Sequence, residues 1–159
     1  KFDWVIQKAT ELNVTAIFSV ESKHCVARYS AQKLKSKEER WLKIIKEAAQ
    51  QCGRNELPKF QNFSSVSDIN HFVNEIYPGI QKFVAYENED TVTLKESLNT
   101  DSIHVAGAVV LIGPEGGLAT DEVDELVSYG FTSVSLGDTI LRAETAAIAA
   151  VAILNYERG

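Results

Sequence analysis

The residue types that can do chemistry gather in two glycine-led stretches. In the first, Gly113-Pro-Glu-Gly-Gly117, the main chain rather than the side chains is on offer. Gly113, Gly116 and Gly117 admit positive φ or the close approach of a ligand to the backbone, and Pro114 stiffens the turn. The stretch lacks the Gly-Lys-Ser/Thr ending of a triphosphate loop and the Gly-x-Gly-x-x-Gly of a dinucleotide loop. Its one charged residue is Glu115, with Asp121 and Glu122 following, where a phosphate ligand would need a cation. Three glycines and a carboxylate within five residues favour a bound molecule over a plain tight turn, and a neutral or positively centred molecule over a polyphosphate. The second stretch, Gly137-Asp-Thr-Ile-Leu-Arg-Ala-Glu-Thr-Ala146, presents Arg142 with no other cation beside it. An arginine there either stabilises a developing anion or pairs with Glu144 or another carboxylate. Glu144 reads as a base or as a helix-start carboxylate, the second being favoured.

Both stretches need elements that aim them into one crevice. Residues 106–112 form an apolar run bounded by glycines, the pattern of a strand buried on both faces, so the first loop opens at a strand's carboxyl end. Thr120 is placed to cap the next helix, whose first turn carries Asp121 and Glu122 and which Gly130 ends. Residues 132–136 alternate as a strand does and lead into the second glycine turn. The helix expected over 144–156 is apolar nearly all round, with alanine at 146, 147, 149, 150 and 152, so it must be buried inside the fold or across a dimer interface.

Upstream, Asp3 is placed to cap a helix to about Leu12 that buries Val5, Ile6, Ala9 and Leu12, with Asn13 in the left-handed position after it. A strand over 14–20 follows. Ser36 and Glu39 match a capping box for a helix that carries Trp41, Ile44, Ile45, Ala48 and Cys52 and stops at Gly53. A strand from about 57, a helix over 64–77, a strand over 80–87 and a loop or short helix in 88–102 complete the chain. Strands and helices alternate five times, which predicts an α/β fold: a mainly parallel sheet flanked by helices, with its ligand loops at the strands' carboxyl ends.

With 159 residues, 45% apolar and 24% charged, the composition is that of one globular domain. No apolar stretch approaches the ~20 residues that span a bilayer, and neither a signal nor a transit peptide opens the chain, so the expected compartment is the cytoplasm. Cys25 and Cys52 read as free thiols, and the absence of methionine as the mark of a partial or processed chain. A net charge of −6 argues against nonspecific nucleic-acid binding by the body as a whole. Residues 23–40 nonetheless hold Lys23, Arg28, Lys33, Lys35, Lys37 and Arg40 against Glu38 and Glu39, a basic segment that is either a contact surface or a solvated loop.

Taken with three further stretches, the two glycine turns resemble the RsmE family of ribosomal RNA methyltransferases, of the SPOUT class. The residues that carry the resemblance are Leu111-Ile-Gly-Pro-Glu-Gly-Gly117, Leu136-Gly-Asp-Thr-Ile-Leu-Arg-Ala-Glu-Thr-Ala146, Asp3-Trp-Val-Ile-Gln-Lys-Ala-Thr-Glu-Leu12, Glu47-Ala-Ala-Gln-Gln-Cys-Gly-Arg54 and Tyr86-Glu87. The resemblance implies a SPOUT methyltransferase domain over residues 1–159 with a C-terminal trefoil knot. It also implies an upstream β-barrel RNA-binding domain outside this sequence, S-adenosylmethionine as methyl donor, and N3 of a uridine in small-subunit (16S) ribosomal RNA as acceptor. A homodimer is expected, with no metal and no membrane. A sulfonium cofactor without phosphate suits a glycine loop that contains Glu115.

By the resemblance, the cofactor falls to Gly113, Gly116, Leu136, Gly137, Ile140, Leu141 and Ala146; Leu111 and Ile112 add to an apolar slot with main-chain donors and acceptors for adenine, and Glu115 suits the sulfonium. Arg142 takes the catalytic place, and Lys8, Lys23 and Arg54 the contacts to RNA, with Lys8 and Arg54 also matching positions that can meet a partner subunit. Three departures bear on RNA contacts more than on the cofactor: Asn13 where glycine is usual, Thr139 where a basic residue is common, and the loosely matching Glu21-Ser-Lys-His-Cys25. Two other readings stay open at this point. One is a SPOUT enzyme acting on transfer RNA or a ribose 2′-hydroxyl; the other is a cofactor-binding or dimerisation module without activity.

Overall fold

The computed structural model describes residues 1–25, 29–98 and 106–159. In chain order the elements are α1 (Phe2–Glu11), β1 (Ala16–Val20), α2 (Ala31–Cys52), β2 (Lys59–Phe63), α3 (Val66–Ile76), β3 (Gln81–Ala85), α4 (Leu94–Ser97), β4 (Ala108–Ile112), α5 (Thr120–Ser128), β5 (Thr132–Val134) and α6 (Ala143–Arg158). The fold is α/β, and every ladder among the described residues is parallel. The expected single sheet is divided: β1 pairs with β2, and β4 and β5 flank β3. Val20, at the end of β1, packs on the cluster around Val84 and Leu111 through its side chain, without a ladder between the two sheets.

Side chains alternate along β3, so its two faces build two cores. Phe83 meets Leu94, Val134 and the Ala150 and Leu154 face of α6. Val84 meets Leu111, Phe131 and the Val123 and Leu126 face of α5. On the smaller sheet, Ile17 packs against Ile6 and Ala9 of α1 and Trp41 and Ile45 of α2. Phe18 points the other way, edge-on to Phe63 and Phe72 at 5.6 and 5.5 Å between ring centroids. α1 and α2 therefore clothe one sheet and α5 and α6 the other, while α3 meets both, Phe72 against Phe18 and Val66 in the Val84 core.

Several sequence expectations are corrected at element ends. Asp3 does not cap α1, which begins at Phe2; its carboxylate instead accepts from Trp41 Nε1 at 3.1 Å and from Arg40 Nε and Nη2 at 3.0 and 2.6 Å. Asn13 does take the left-handed conformation, with φ 61°. Ser36 lies inside α2, whose cap is Ser30, accepting from the Lys33 amide. The earlier start follows from Leu34, one heptad before Trp41, which packs against the same core and extends the apolar stripe by two turns. Thr120 is the first residue of α5 rather than its cap; the Glu122 carboxylate does the work by accepting from the Ala119 amide at 3.0 Å. β4 packs on both faces, Val109 and Leu111 on the Val84 core and Ala108, Val110 and Ile112 on the Phe83 core, with Leu111 fully buried and the rest partly so. α6 buries only Ala146, Ala150 and Leu154 within the chain.

The polar run yields α4, capped reciprocally by Thr93 and Glu96, over a buried Leu94. Its end at 99–102, and Arg28 of the basic segment, lie outside the described residues. Both cysteines are free. Among the described residues no helix is long and apolar enough to cross a membrane.

Candidate active site

Parallel strands put their carboxyl ends on one edge, and four loops meet there. The 113–117 loop follows β4, Tyr86-Glu87 follows β3, the turn from Ser135 to Arg142 follows β5, and Lys23-His24 follows β1. The glycine loop is wedged among its neighbours. A Cβ on Gly113 would sit 3.0 Å from Leu118 Cγ, and one on Gly116 would sit 3.2 Å from His24 Cβ. Gly117 has φ +73°, and a Cβ there would come within 2.6 Å of Glu87 Oε1. Its amide closes the turn onto the Pro114 carbonyl at 2.9 Å.

Carboxylates pin these loops to one another. Glu122, buried, takes the Lys23 amide on Oε1 at 2.8 Å and the Ala119 amide on Oε2. Lys23 Nζ pairs with Asp121; that hydrogen bond raises the lysine's pKa and holds the Asp121 carboxyl below its usual range. Glu115 is held low chiefly by a backbone hydrogen bond and then by Lys1, whose Nζ lies 3.4 Å away. The charge inside the glycine loop is thus turned towards the start of α1. At the other end of the domain Asn155 of α6 donates to the Leu12 carbonyl at the end of α1, so α1 and α6 run side by side with both N-termini at the loop edge.

The second loop is anchored at its root and free beyond it. Ser135 Oγ accepts from the Gly137 amide at 3.3 Å and donates to the Gly137 carbonyl at 3.0 Å. The amides and carbonyls of Leu136 and of Thr139 to Leu141 have no protein partner among the described residues. Ile140 is 77% exposed, Leu136 and Leu141 are half-buried, and Ala146 is buried. Arg142 occupies the cap of α6 by its backbone alone, with its side chain exposed and without a hydrogen bond or ion pair among the described residues. The alternative reading, a bridge to Glu144, is not formed; Glu144 Oε2 is buried with no hydrogen-bond partner.

The site therefore gathers Leu111, Ile112, Gly113, Glu115, Gly116, Leu136, Gly137, Ile140, Leu141, Arg142 and Ala146 around one edge. Lys23 is there too, though held by Asp121. Lys8 and Arg54 are not brought to it. Lys8 Nζ is bonded to Glu11 at 2.9 Å. Arg54 donates to the Thr10 and Val14 carbonyls at 2.9 and 3.0 Å, closing the end of α1 at the amino edge of β1, about 16 Å away by the ~3.3 Å rise of a five-residue strand. A concavity lined by Asn13, Thr15, Arg54, Glu56, Leu57, Lys59 and Arg158 also lies at that far edge, remote from the loops described above. Sequence reasoning overlooked the anchoring carboxylate Glu122 and the wedge His24. The signal for the first was a carboxylate at the third helical position, where it can reach back to the amide before the helix.

The family model for the RNA methyltransferase domain matches residues 1–155. The ribosomal RNA small subunit methyltransferase E of Bacillus subtilis is 34% identical over 164 residues, covering 99% of this chain and 61% of that protein. Its namesake in Buchnera aphidicola subsp. Schizaphis graminum is 31% identical over 163 residues, covering 100% and 61%. A ribosomal RNA small subunit methyltransferase E from Neisseria gonorrhoeae, solved bound to S-adenosyl methionine, superposes with a TM-score of 0.81 at 30% identity, over 98% of this chain and 60% of that one. A Legionella pneumophila protein solved with the cofactor SAM gives 0.83 at 30% identity, over 98% and 60%. The chain spans about three fifths of the length of the relatives it matches.

Proposed function

Because this chain belongs to the RNA methyltransferase family, in its RsmE branch, we propose that it carries the methyl-transfer site of an enzyme that modifies N3 of a uridine in small-subunit ribosomal RNA. The observation that carries the reading is Arg142: an exposed guanidinium without a hydrogen bond or ion pair among the described residues, at the end of a loop of free main-chain groups and on the same edge as the glycine loop. The proposal extends to S-adenosylmethionine as donor, to the C-terminal trefoil knot and to a cytoplasmic homodimer. Support for the donor comes from the likeness to the two structures solved with that cofactor, and the knot rests on the family resemblance.

The residues present fit such a donor. Leu136 and Thr139 to Leu141 offer unspent amides and carbonyls between apolar side chains, the kind of slot that reads a purine edge without charged groups. Gly116 of the glycine loop is exposed at the same edge, and the cation that meets this loop, Lys1, is paired with its Glu115. When bound, S-adenosylmethionine supplies a methyl group on a positively charged sulfur. The donor would give up that methyl group to N3 and depart as a neutral thioether, and the N3 proton would pass to solvent. Because N3 of uracil is scarcely ionised at neutral pH, the costly feature is negative charge growing on the base. Arg142 stabilises that charge with a planar set of donors that no carboxylate among the described residues engages. Glu144, at the head of α6, offsets the helix's unmet amides. Support for the dimer is α6 itself, where Ala147, Ile148, Ala149 and Val151 stay half-exposed in one chain.

The test is nucleoside mass analysis of small-subunit ribosomal RNA from cells lacking the gene. The reading requires loss of N3-methyluridine and its return on complementation. Loss of a different mark, or of none, refutes it.

A further inference from the structure

The RNA contacts expected at Lys8, Lys23 and Arg54 are engaged within the fold, by Glu11, Asp121 and two main-chain carbonyls. Positive charge without such partners is found elsewhere. We infer that the amino-terminal half of α2 is a docking track for the RNA backbone, leading to the methyl-transfer site; the inference rests on the proposed action on RNA.

Three observations support it. First, this part of α2 is lightly held: among the described residues Leu34 packs on the Ile6 and Trp41 core, and only in part. Asp3, in the first turn of α1, meets α2 at Arg40 and Trp41, so residues 31–39 overhang the start of α1 by nine residues, about 14 Å at ~1.5 Å per residue. No residue before Trp41 in the helix is buried. Such an overhang receives little tertiary support, yet it is capped by Ser30 and braced by Tyr29, over whose ring Lys33 and Lys37 lie at 5.7 and 5.4 Å.

Second, the charge is sorted. Lys33, Lys37 and Arg40 recur at spacings of four and three and share one flank, over about 10 Å of helix. Glu38 and Glu39 follow Lys37 by roughly 100° and 200° around the axis and so fall off that flank. Neither Lys33 nor Lys37 has an acidic partner among the described residues. On a chain of net charge −6, a surface stripe with Lys33 exposed and Lys37 half-buried fits a polyanion.

Third, the stripe points at the site. Its lower end, Arg40, is bonded to Asp3, two residues from Lys1, and Lys1 is paired with Glu115 of the glycine loop. A strand of RNA whose phosphates run along Lys33 and Lys37 is delivered to the edge where Arg142 waits.

The test uses the full chain with Lys33→Gln and Lys37→Gln together, and a control pair, Lys59→Gln with Arg158→Gln, that removes equal charge at the opposite edge. Binding to small-subunit ribosomal RNA is measured from 50 to 300 mM salt. Each phosphate contact contributes ~0.7 to the salt slope for single strands, so losing two lowers it by about 1.4 and weakens binding roughly tenfold near 150 mM. The expected result is that loss for the α2 pair alone, with a matching rise in KM for RNA while cofactor affinity and kcat at saturating RNA stay level. An unchanged slope, an equal loss from the control pair, or a change in oligomer mass in place of RNA affinity overturns the track. Failure of the methylation reading would show separately, as RNA binding that depends on the stripe with no methyl transfer by any variant.

Discussion

Arg142→Ala tests the catalytic reading because the structure lets chemistry and stability be separated. The guanidinium has no hydrogen bond or ion pair to any described residue, and Arg142 caps α6 with its backbone only. Alanine removes no internal interaction, so the expected change in stability is within ~0.5 kcal/mol, as for an ordinary surface site. For a domain of this length that is a shift in melting temperature of about 2 °C at most. The rate behaves differently. Removing one donor aimed at developing charge costs ~100- to 1,000-fold, or about 2.7–4 kcal/mol of barrier. The main-chain groups of Leu136 and Thr139 to Leu141 remain, so cofactor affinity holds. Arg142→Lys should recover part of the rate, because an ammonium restores the charge but not the planar fork of donors. The assay is single-turnover methyl transfer at saturating RNA and cofactor, with calorimetry and thermal melts alongside. A rate within threefold of the parent, or a lowered melting temperature with near-normal transfer by the folded fraction, would refute the reasoning and return Arg142 to a structural post.

Asp3→Ala strips Trp41 Nε1, on a side chain only 5% exposed, of its acceptor and frees Arg40. A loss of about 2 kcal/mol is expected, nearly all from the unmet indole, and Asp3→Asn should restore most of it in chemical denaturation. The Lys23–Asp121 tie sets a pH window. Asp121, depressed below its ordinary 3.8, contributes above that value and loses its contribution only as pH falls through the depressed pKa. Lys23, raised above 10.5, contributes below that value and loses its contribution as pH rises through the raised one. Carboxyl NMR should therefore find Asp121 titrating low, with Lys23→Ala moving it back up; an unshifted Asp121 counts against the tie. For the dimer, melting temperature should rise with protein concentration, and Ala152→Arg, on an exposed position of α6, should give a monomer mass in light scattering.

Local chemistry was readable along the chain because it depends on neighbours in sequence. The glycine loop, the left-handed Asn13, the stop at Gly53 and the apolar stripe through Trp41 and Ile45 each follow from dihedral preference or helical period. So did the α/β class and the gathering of Leu111 to Gly117 and Leu136 to Ala146 at one edge, since parallel strands leave no other place for their loops. What the sequence could not carry is which of several partners a polar group chooses. Asp3 had the position of a cap but found Trp41 and Arg40, 38 and 37 residues away, which only the packing of α1 on α2 brings near. Lys8, Lys23 and Arg54 looked alike as cations for RNA; the fold gives each an internal acceptor, while Lys33, Lys37 and Arg142 have no acidic partner among the described residues. By itself, then, the sequence determined the elements, the loops and the residue types at the site. The tertiary structure decided which charges are spent holding the fold and which are left for a ligand, because ion pairs and hydrogen bonds form between groups that are close in space, whatever their separation along the chain.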